Sequence, residues 1–209
     1  MNSSSVTLIL VVLNVIATLY AWNNPAIMQK WILNPYQVWH RRQLYRVITS
    51  GFIHANWMHL IFNMIALYSF GEVVEYYFGS LFTGMGSVYF ILMYVLALVV
   101  SDLSTLYKYR DIPNYNSLGA SGAVSAVVFS SIIFDPWAQI YLWFIPVPGI
   151  ILGVLFIAYS YMGGRRVLGD NINHEAHLFG ALFGFIFTFL LEPNLILYFF
   201  EMLKQPRLF

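Results

Sequence analysis

The chain has 209 residues, 60% of them hydrophobic, 19% aromatic and only 9% charged, with a mean hydropathy of +0.71. A soluble domain carries roughly a quarter charged residues, so this composition belongs to a multi-pass, all-α membrane protein whose solvent is the lipid bilayer. A net charge of +1 leaves no basic face for nucleic acid, and the absence of cysteine excludes disulfides, thiolate nucleophiles and Cys-ligated metal.

Six apolar segments follow one another. The first, 6–22, is apolar apart from Asn14 and Thr18. With no basic leader and no small-residue cleavage site after it, it reads as a retained helix and not a signal peptide. Residues 23–56 form a long connection holding Lys30, Arg41, Arg42 and Arg46. It is too rich in Trp, Tyr, Ile and Leu for a solvated linker and is expected to lie partly in the membrane interface. The second span, 57–78, carries His59 and Asn63 four apart, hence on one face. Gly71, Glu75 and Gly79 follow at four-residue intervals, the carboxylate reading as a brace for a loop and not as a chemical group. The third span, 83–101, ends at Asp102. The fourth, 121–134, opens at Ser121 within Gly119-Ala120-Ser121-Gly122 and stops at Asp135-Pro136. Ile145-Pro146-Val147-Pro148 then punctuates the chain, because proline cannot continue a helix interior. The fifth span, 149–162, precedes a polar loop, 163–174, and the sixth, 176–191, closes at Glu192-Pro193 before a short amphipathic tail. The chain, 1–209, reads as a single transmembrane domain.

Six spans carry a parity consequence. Segments two, four and six enter the membrane from the same side, so His59, Ser121 and His177, each near the start of its segment, are expected at similar depth. Serine is a weak nucleophile until an imidazole takes its proton, which makes His177 the candidate base for Ser121. Gly180 and Gly184 follow His177 as a small-residue stripe, and Gly119 and Gly122 flank Ser121, so the two helices can approach closely. His59, Asn63 and the Ser121 amide could then meet the negative charge of a tetrahedral intermediate. A serine at a helix contact and histidines satisfied by their surroundings explain the same residues without chemistry. Ser125, one turn on, is placed on the same cavity without a role. Two motifs fail on spacing: Gly-x-Ser-x-Gly ends here in Ala123, and His174-Glu175-Ala176-His177 is one residue short of a zincin. A metal gathered by histidines 54, 59, 174 and 177 stays a minor alternative.

Counted over Lys and Arg, the odd connections hold eight and the termini and even connections two (Lys204 and Arg207). The positive-inside rule therefore puts the odd loops, and the polar constellation, in the cytoplasm.

The residues resemble the rhomboid family of intramembrane serine proteases. Tyr45-Arg46 is similar to its Trp-Arg pair, His59 and Asn63 to its His-xxx-Asn, and Gly71-xxx-Glu75-xxx-Gly79 to its second-helix motif. Gly119-Ala120-Ser121-Gly122 resembles its nucleophile motif, and Ala176-His177-xx-Gly180-xxx-Gly184 its base motif. The resemblance implies a six-transmembrane-helix bundle with a partly membrane-embedded first loop and a Ser121/His177 dyad without a third acid. It further implies an oxyanion site from His59, Asn63 and Ser121, with the fifth helix and the 163–174 loop as gate and cap. It implies a protease that cleaves transmembrane segments of other proteins and needs no cofactor or metal. Family topology turns the dyad toward the outer face of a cell (inner) membrane, against the charge count, and is followed here. Two positions depart from the pattern: Tyr45 stands for tryptophan, and Ser125 stands where many members pack an aromatic ring under the base. A proteolytically inactive rhomboid-like protein that binds transmembrane segments is the alternative, and a transporter would call for inverted repeats that the chain does not display.

Overall fold

The structure is a computed structural model and describes residues 5–142, 144–165 and 172–206. Its helices are α1 (Val6–Trp22), α2 (Pro25–Trp31), α3 (Pro35–Arg41), α4 (Arg46–Thr49), α5 (Trp57–Leu81), α6 (Gly86–Lys108), α7 (Ser121–Phe134), α8 (Gly149–Arg165), α9 (His174–Leu191) and α10 (Leu195–Leu203). Three of them, α5, α6 and α9, are long and apolar enough to cross a membrane, whereas α1, α7 and α8 are shorter apolar helices.

Buried on every side, α7 is the axis of the fold. Gly122 to Val127 and Phe129 to Phe134 are all buried except Val128, which is half-buried. A helix apolar all round has to be enclosed, and α5, α6 and α9 pack around this one, with α9 the most extensive partner. The close approach has a steric cause. A Cβ on Gly180 would collide with the Gly122 carbonyl oxygen, and one on Gly184 with that of Ala126. Backbone lies against backbone, and only glycine allows it.

Polar cross-links complete the frame. The first N–H groups of a helix have no internal partner and favour a carboxylate. Glu75, in the middle of α5, supplies one to α1, accepting from the amides of Val6 (2.8 Å) and Thr7 (2.9 Å) and from the hydroxyls of Ser5 and Thr7. Its role is structural, but the partner is a helix start and not a loop. Four residues before it, Gly71 packs against Thr7.

Spans two and three differ from expectation: α5 runs on to Leu81, and α6 starts at Gly86 and continues past Asp102 to Lys108. The sixth helix begins two residues early, at His174. The 23–56 connection folds into three short helices and one 3-10 turn, Ser50–Phe52, two of the helices opening on prolines at their first turns. Residues 139–148 hold an antiparallel hairpin, β1 (Gln139–Leu142) with β2 (Ile145–Pro148), pairing Gln139 with Pro148 and Leu142 with Ile145. Pro146 and Pro148 read as breakers in sequence, yet in a two-stranded ribbon each strand is an edge and a missing N–H can face outward.

The α7–α9 contact predicts a contrast between two glycines. Gly184→Ala drives a methyl into the Ala126 backbone and should lower stability by about 1–3 kcal/mol. Gly79→Ala meets nothing within 4 Å and should leave stability unchanged or slightly raised. Thermal unfolding of both variants in detergent checks the pair.

Candidate active site

Ser121 is the first residue of α7, and the turn that presents it is built backwards from there. Gly119 has φ +124°, a backbone conformation that side chains strain to adopt, and a Cβ there would also run into the His59 ring. Its N–H donates to the Ser50 carbonyl at 2.9 Å. One residue on, the Ala120 N–H donates to His54 Nε2 at 3.4 Å. Upstream, Ser117 and Leu33 exchange both backbone hydrogen bonds at 3.0 Å, tying the turn to the first connection.

His54 is wholly buried, and its hydrogen bonds define its tautomer. Because Nε2 accepts from Ala120, the proton sits on Nδ1, which donates to Thr18 Oγ1 at 3.0 Å. The Thr18 hydroxyl passes its own hydrogen to the Phe52 carbonyl at 3.2 Å. Burial, with the neighbouring His59 imidazole adding to it, lowers the His54 pKa to about 3, so the ring is neutral at any physiological pH. Sequence reading connected His54 only with a metal. Here it links α1 to the serine turn.

His177 lies in the first turns of α9, whose start is anchored in turn. Asn173 Oδ1 caps the helix by accepting from the Ala176 N–H at 3.1 Å, and its Nδ2 donates to Thr105 Oγ1 at 2.9 Å and to Ser117 Oγ at 3.3 Å. Glu175 accepts from Lys108 Nζ and Ser104 Oγ, both at 2.7 Å, which fastens α9 to α6. On its other side, Gly122 sits against Ser101 of α6, where a Cβ would overlap the Ser101 side chain. Asn173 and Ser101 were missed by sequence reading, because a cap and a small-residue contact have no motif of their own.

A cavity of about 1600 Å³ opens between these helix ends, and Ser121, His177, His59, Asn63, Gly119 and Ser125 all line it. The residues picked from sequence are therefore gathered in one place. His59 has its amide capped by Asn56 Oδ1 at 2.9 Å, and its ring meets that of His54 edge-on with centroids 5.0 Å apart. Asn63 is buried and donates one Nδ2 hydrogen to the His59 carbonyl at 2.8 Å. Ser125 donates to the Ser121 carbonyl at 2.7 Å and presents no ring to His177. The ring comes from elsewhere: Phe156 of α8 stacks on His177, centroids 5.7 Å apart and planes 27° from parallel. Phe156 was missed because the fifth segment shows only an unbroken apolar run.

Other motif residues hold the frame. Arg46 is buried, with Nε donating to Gln43 and Nη1 to the carbonyls of Gln29 and Ile32, and its guanidinium lies 5.7 Å from the Tyr45 ring centre. Gly79 has open space at its own Cβ position, while Gly86 packs onto its backbone. Histidines 54, 59, 174 and 177 fall into two pairs, 54 with 59 and 174 with 177, and the described residues contain no group of three that could hold a metal ion. Residues 166–171 of the expected cap lie outside the described residues.

A buried helical bundle with a serine, two histidines and an asparagine at the mouths of three helices defines a class of membrane protein, and sequence comparison agrees. The Rhomboid domain model matches residues 41–194, and the chain belongs to the rhomboid family, which includes intramembrane serine proteases. Similar proteins include RHOMBOID-like protein 12, mitochondrial, of Arabidopsis thaliana, 36% identical over 66% of this chain and 44% of that protein. Rhomboid-like protein 11, chloroplastic, of the same plant is 32% identical over 71% and 52%, and Rhomboid protein 1, mitochondrial, of Saccharomyces cerevisiae 30% identical over 68% and 40%. The chain thus spans about half the length of these relatives.

The buried neutral His54 predicts an acid-sensitive fold. Its pKa is lower in the folded than in the unfolded chain, so the unfolded state binds the extra proton first as pH falls below about 6.5. Stability should be level above that pH and should fall by about 2 kcal/mol between pH 7 and pH 5. His54→Gln should flatten that slope relative to the parent, as read by chemical unfolding at the two pH values.

Proposed function

We propose that the chain is an intramembrane serine endopeptidase that cleaves transmembrane segments of other membrane proteins, with Ser121 as nucleophile and His177 as general base. One observation carries the reading. The first turns of α7 and α9 line a common cavity, and the helices bearing them touch backbone to backbone within a turn of both residues. On this reading residues 1–209 are one domain with six spans, α1 and α5 to α9. With 14 residues α7 is about 21 Å long against about 30 Å of hydrocarbon, which supports a serine lying below the membrane surface at the floor of a wet cavity.

The chemistry follows from these groups. The Ser121 hydroxyl adds to the scissile carbonyl while His177 takes its proton, and the carbonyl oxygen gathers negative charge. The Ser121 amide, the remaining Asn63 N–H and His59 supply donors for that oxygen. Collapse of the intermediate breaks the C–N bond, and the imidazolium returns the proton to the departing amine. Water then repeats the cycle on the acyl-enzyme, using His177 again and releasing the new carboxylate. No cofactor enters. A substrate helix must unwind before attack, because its peptide groups are shielded by their own hydrogen bonds, and a cavity lined by polar side chains offers replacement partners.

Phe156 has a positioning role on this reading. It stands in for the ring that Ser125 does not supply, and because it rides on α8, movement of the proposed gate helix would release the base. The stretch between α8 and α9, shorter than the 163–174 loop expected because α8 runs to Arg165 and α9 starts at His174, would act as the cap. The bilayer follows from the spanning helices, while the finer placement, a cell (inner) membrane with the cavity facing outward, rests on family topology. The relatives named for mitochondria and chloroplasts support a membrane and not that compartment. A reporter fused to the C-terminus decides the orientation.

Labelling with a fluorophosphonate tests the assignment. The parent should label at one serine, Ser121→Ala not at all, and His177→Ala at least about 10²-fold more slowly. A folded parent that neither labels nor cleaves a transmembrane substrate would instead mark a rhomboid-like protein that binds such segments without cutting them.

Side-chain roles separate in kinetics. Asn63→Ala should lower kcat by about 10²-fold with little change in KM. Phe156→Leu should lower kcat and move the acidic limb of the pH profile, and Phe156→Tyr should restore both.

A further inference from the structure

The connection between α1 and α5 holds a second cavity, which meets the first at Asn116 and whose chemistry the protease reading does not use. Residues 23–56 carry Lys30, Arg41, Arg42 and Arg46 and neither aspartate nor glutamate. Within this acid-free stretch a cavity of about 470 Å³ is lined by Lys30, Gln37 and Arg46, and by Asn116 from the connection before α7. Arg46 is buried and has no carboxylate partner among the described residues. Its Nε and Nη1 are committed to Gln43, Gln29 and Ile32, which leaves Nη2 with both its hydrogens uncommitted. Asn116 Oδ1 accepts from Asn34 Nδ2 at 3.1 Å, so its own amide hydrogens are likewise left over. Lys30 is exposed and makes no ion pair among the described residues.

This lining offers donors and positive charge, and no lining residue is a carboxylate. A buried guanidinium without a counter-charge is costly, and a tetrahedral oxyanion that bridges it to an ammonium relieves that cost. The surroundings say where the anion comes from. The connection joins the ends of two apolar helices, and Trp39, Leu44 and Tyr45 are exposed on it, as residues of a membrane interface are. Met28 and Ile32 add an apolar edge to the cavity itself. We infer that this cavity binds the phosphate of an anionic phospholipid headgroup, with Arg46 and Lys30 as its charged contacts. Bound there, the lipid lies beside Asn116, one residue from the Leu33–Ser117 bridge that braces the serine turn. Occupancy would therefore stiffen that turn, but binding itself does not depend on Ser121 acting as a nucleophile.

The test is lipid retention and thermal stability of the full chain, purified in detergent and returned to nanodiscs. The nanodiscs contain phosphatidylcholine alone or phosphatidylcholine with phosphatidylglycerol. The parent should retain one phosphatidylglycerol in preference to phosphatidylcholine by native mass spectrometry and melt higher in the mixed discs. Lys30→Gln should weaken that preference about fivefold, the value of one cation at a lipid surface. Arg46→Lys should weaken it further. Because Arg46 also ties the connection together, Lys30→Gln and Gln37→Leu keep the test open if the Arg46 variant unfolds. Lys204→Gln in the tail, paired with Glu201, should change nothing. Equal retention of the two lipids overturns the inference, as does an undiminished preference in Lys30→Gln. Inorganic phosphate that saturates the site at millimolar concentration without any lipid preference would assign it to the free anion and overturn it equally.

Discussion

The rest of the structure depends on the contact between α7 and α9. Helices usually pack with axes about 8–10 Å apart, held off by their side chains. Here Gly180 and Gly184 remove those spacers, so that the α9 backbone rests on the carbonyls of Gly122 and Ala126. Side chains at the margins of such a seam are brought together without any strain of their own. Ser121 and His177 stand beside that seam, one residue before Gly122 and three before Gly180, and both line the cavity.

In a bilayer, burial of apolar surface does little to bring helices together, so packing and polar bonds have to fix their placement. The polar bonds are found at helix ends. Glu75 caps α1, Asn56 caps α5 and Asn173 caps α9, and the last also reaches Thr105 and Ser117. His54 belongs to the same set, a neutral ring holding the amide before the serine to the hydroxyl of Thr18. Each bond satisfies a donor or acceptor that would be expensive to leave unmade. The catalytic groups proposed here are few, while the groups that hold their turns in place are many.

The first connection is a small structured unit and not a linker. Arg46 gathers two carbonyls into its centre, and the unit clips onto the serine turn through Leu33 and Ser117. It carries four cations and no acid, and the buried Arg46 within it is held by carbonyl groups. This cation-bearing unit is thereby in mechanical contact with the residues just ahead of Ser121.

Much of this was legible in the chain. The fourth helix has the expected limits, because Gly119 before it and Asp135-Pro136 after it are strong punctuation. His59, Asn63, Ser121 and His177, singled out in the sequence as polar residues near the starts of apolar segments, line one cavity. Other features were not legible. Phe156 on His177, Asn173 across to Thr105 and the hairpin at 139–148 depend on partners 21 to 68 residues away or on which strand edge faces outward. Sequence by itself determined the bilayer as solvent, the order of the apolar segments and the small-residue seam, since hydropathy and side-chain volume are local properties. Only the tertiary structure decided what packs on His177, what braces the serine turn and that Arg46 is buried with no carboxylate partner among the described residues. Those are matters of distance between side chains far apart in sequence, and no local pattern encodes them.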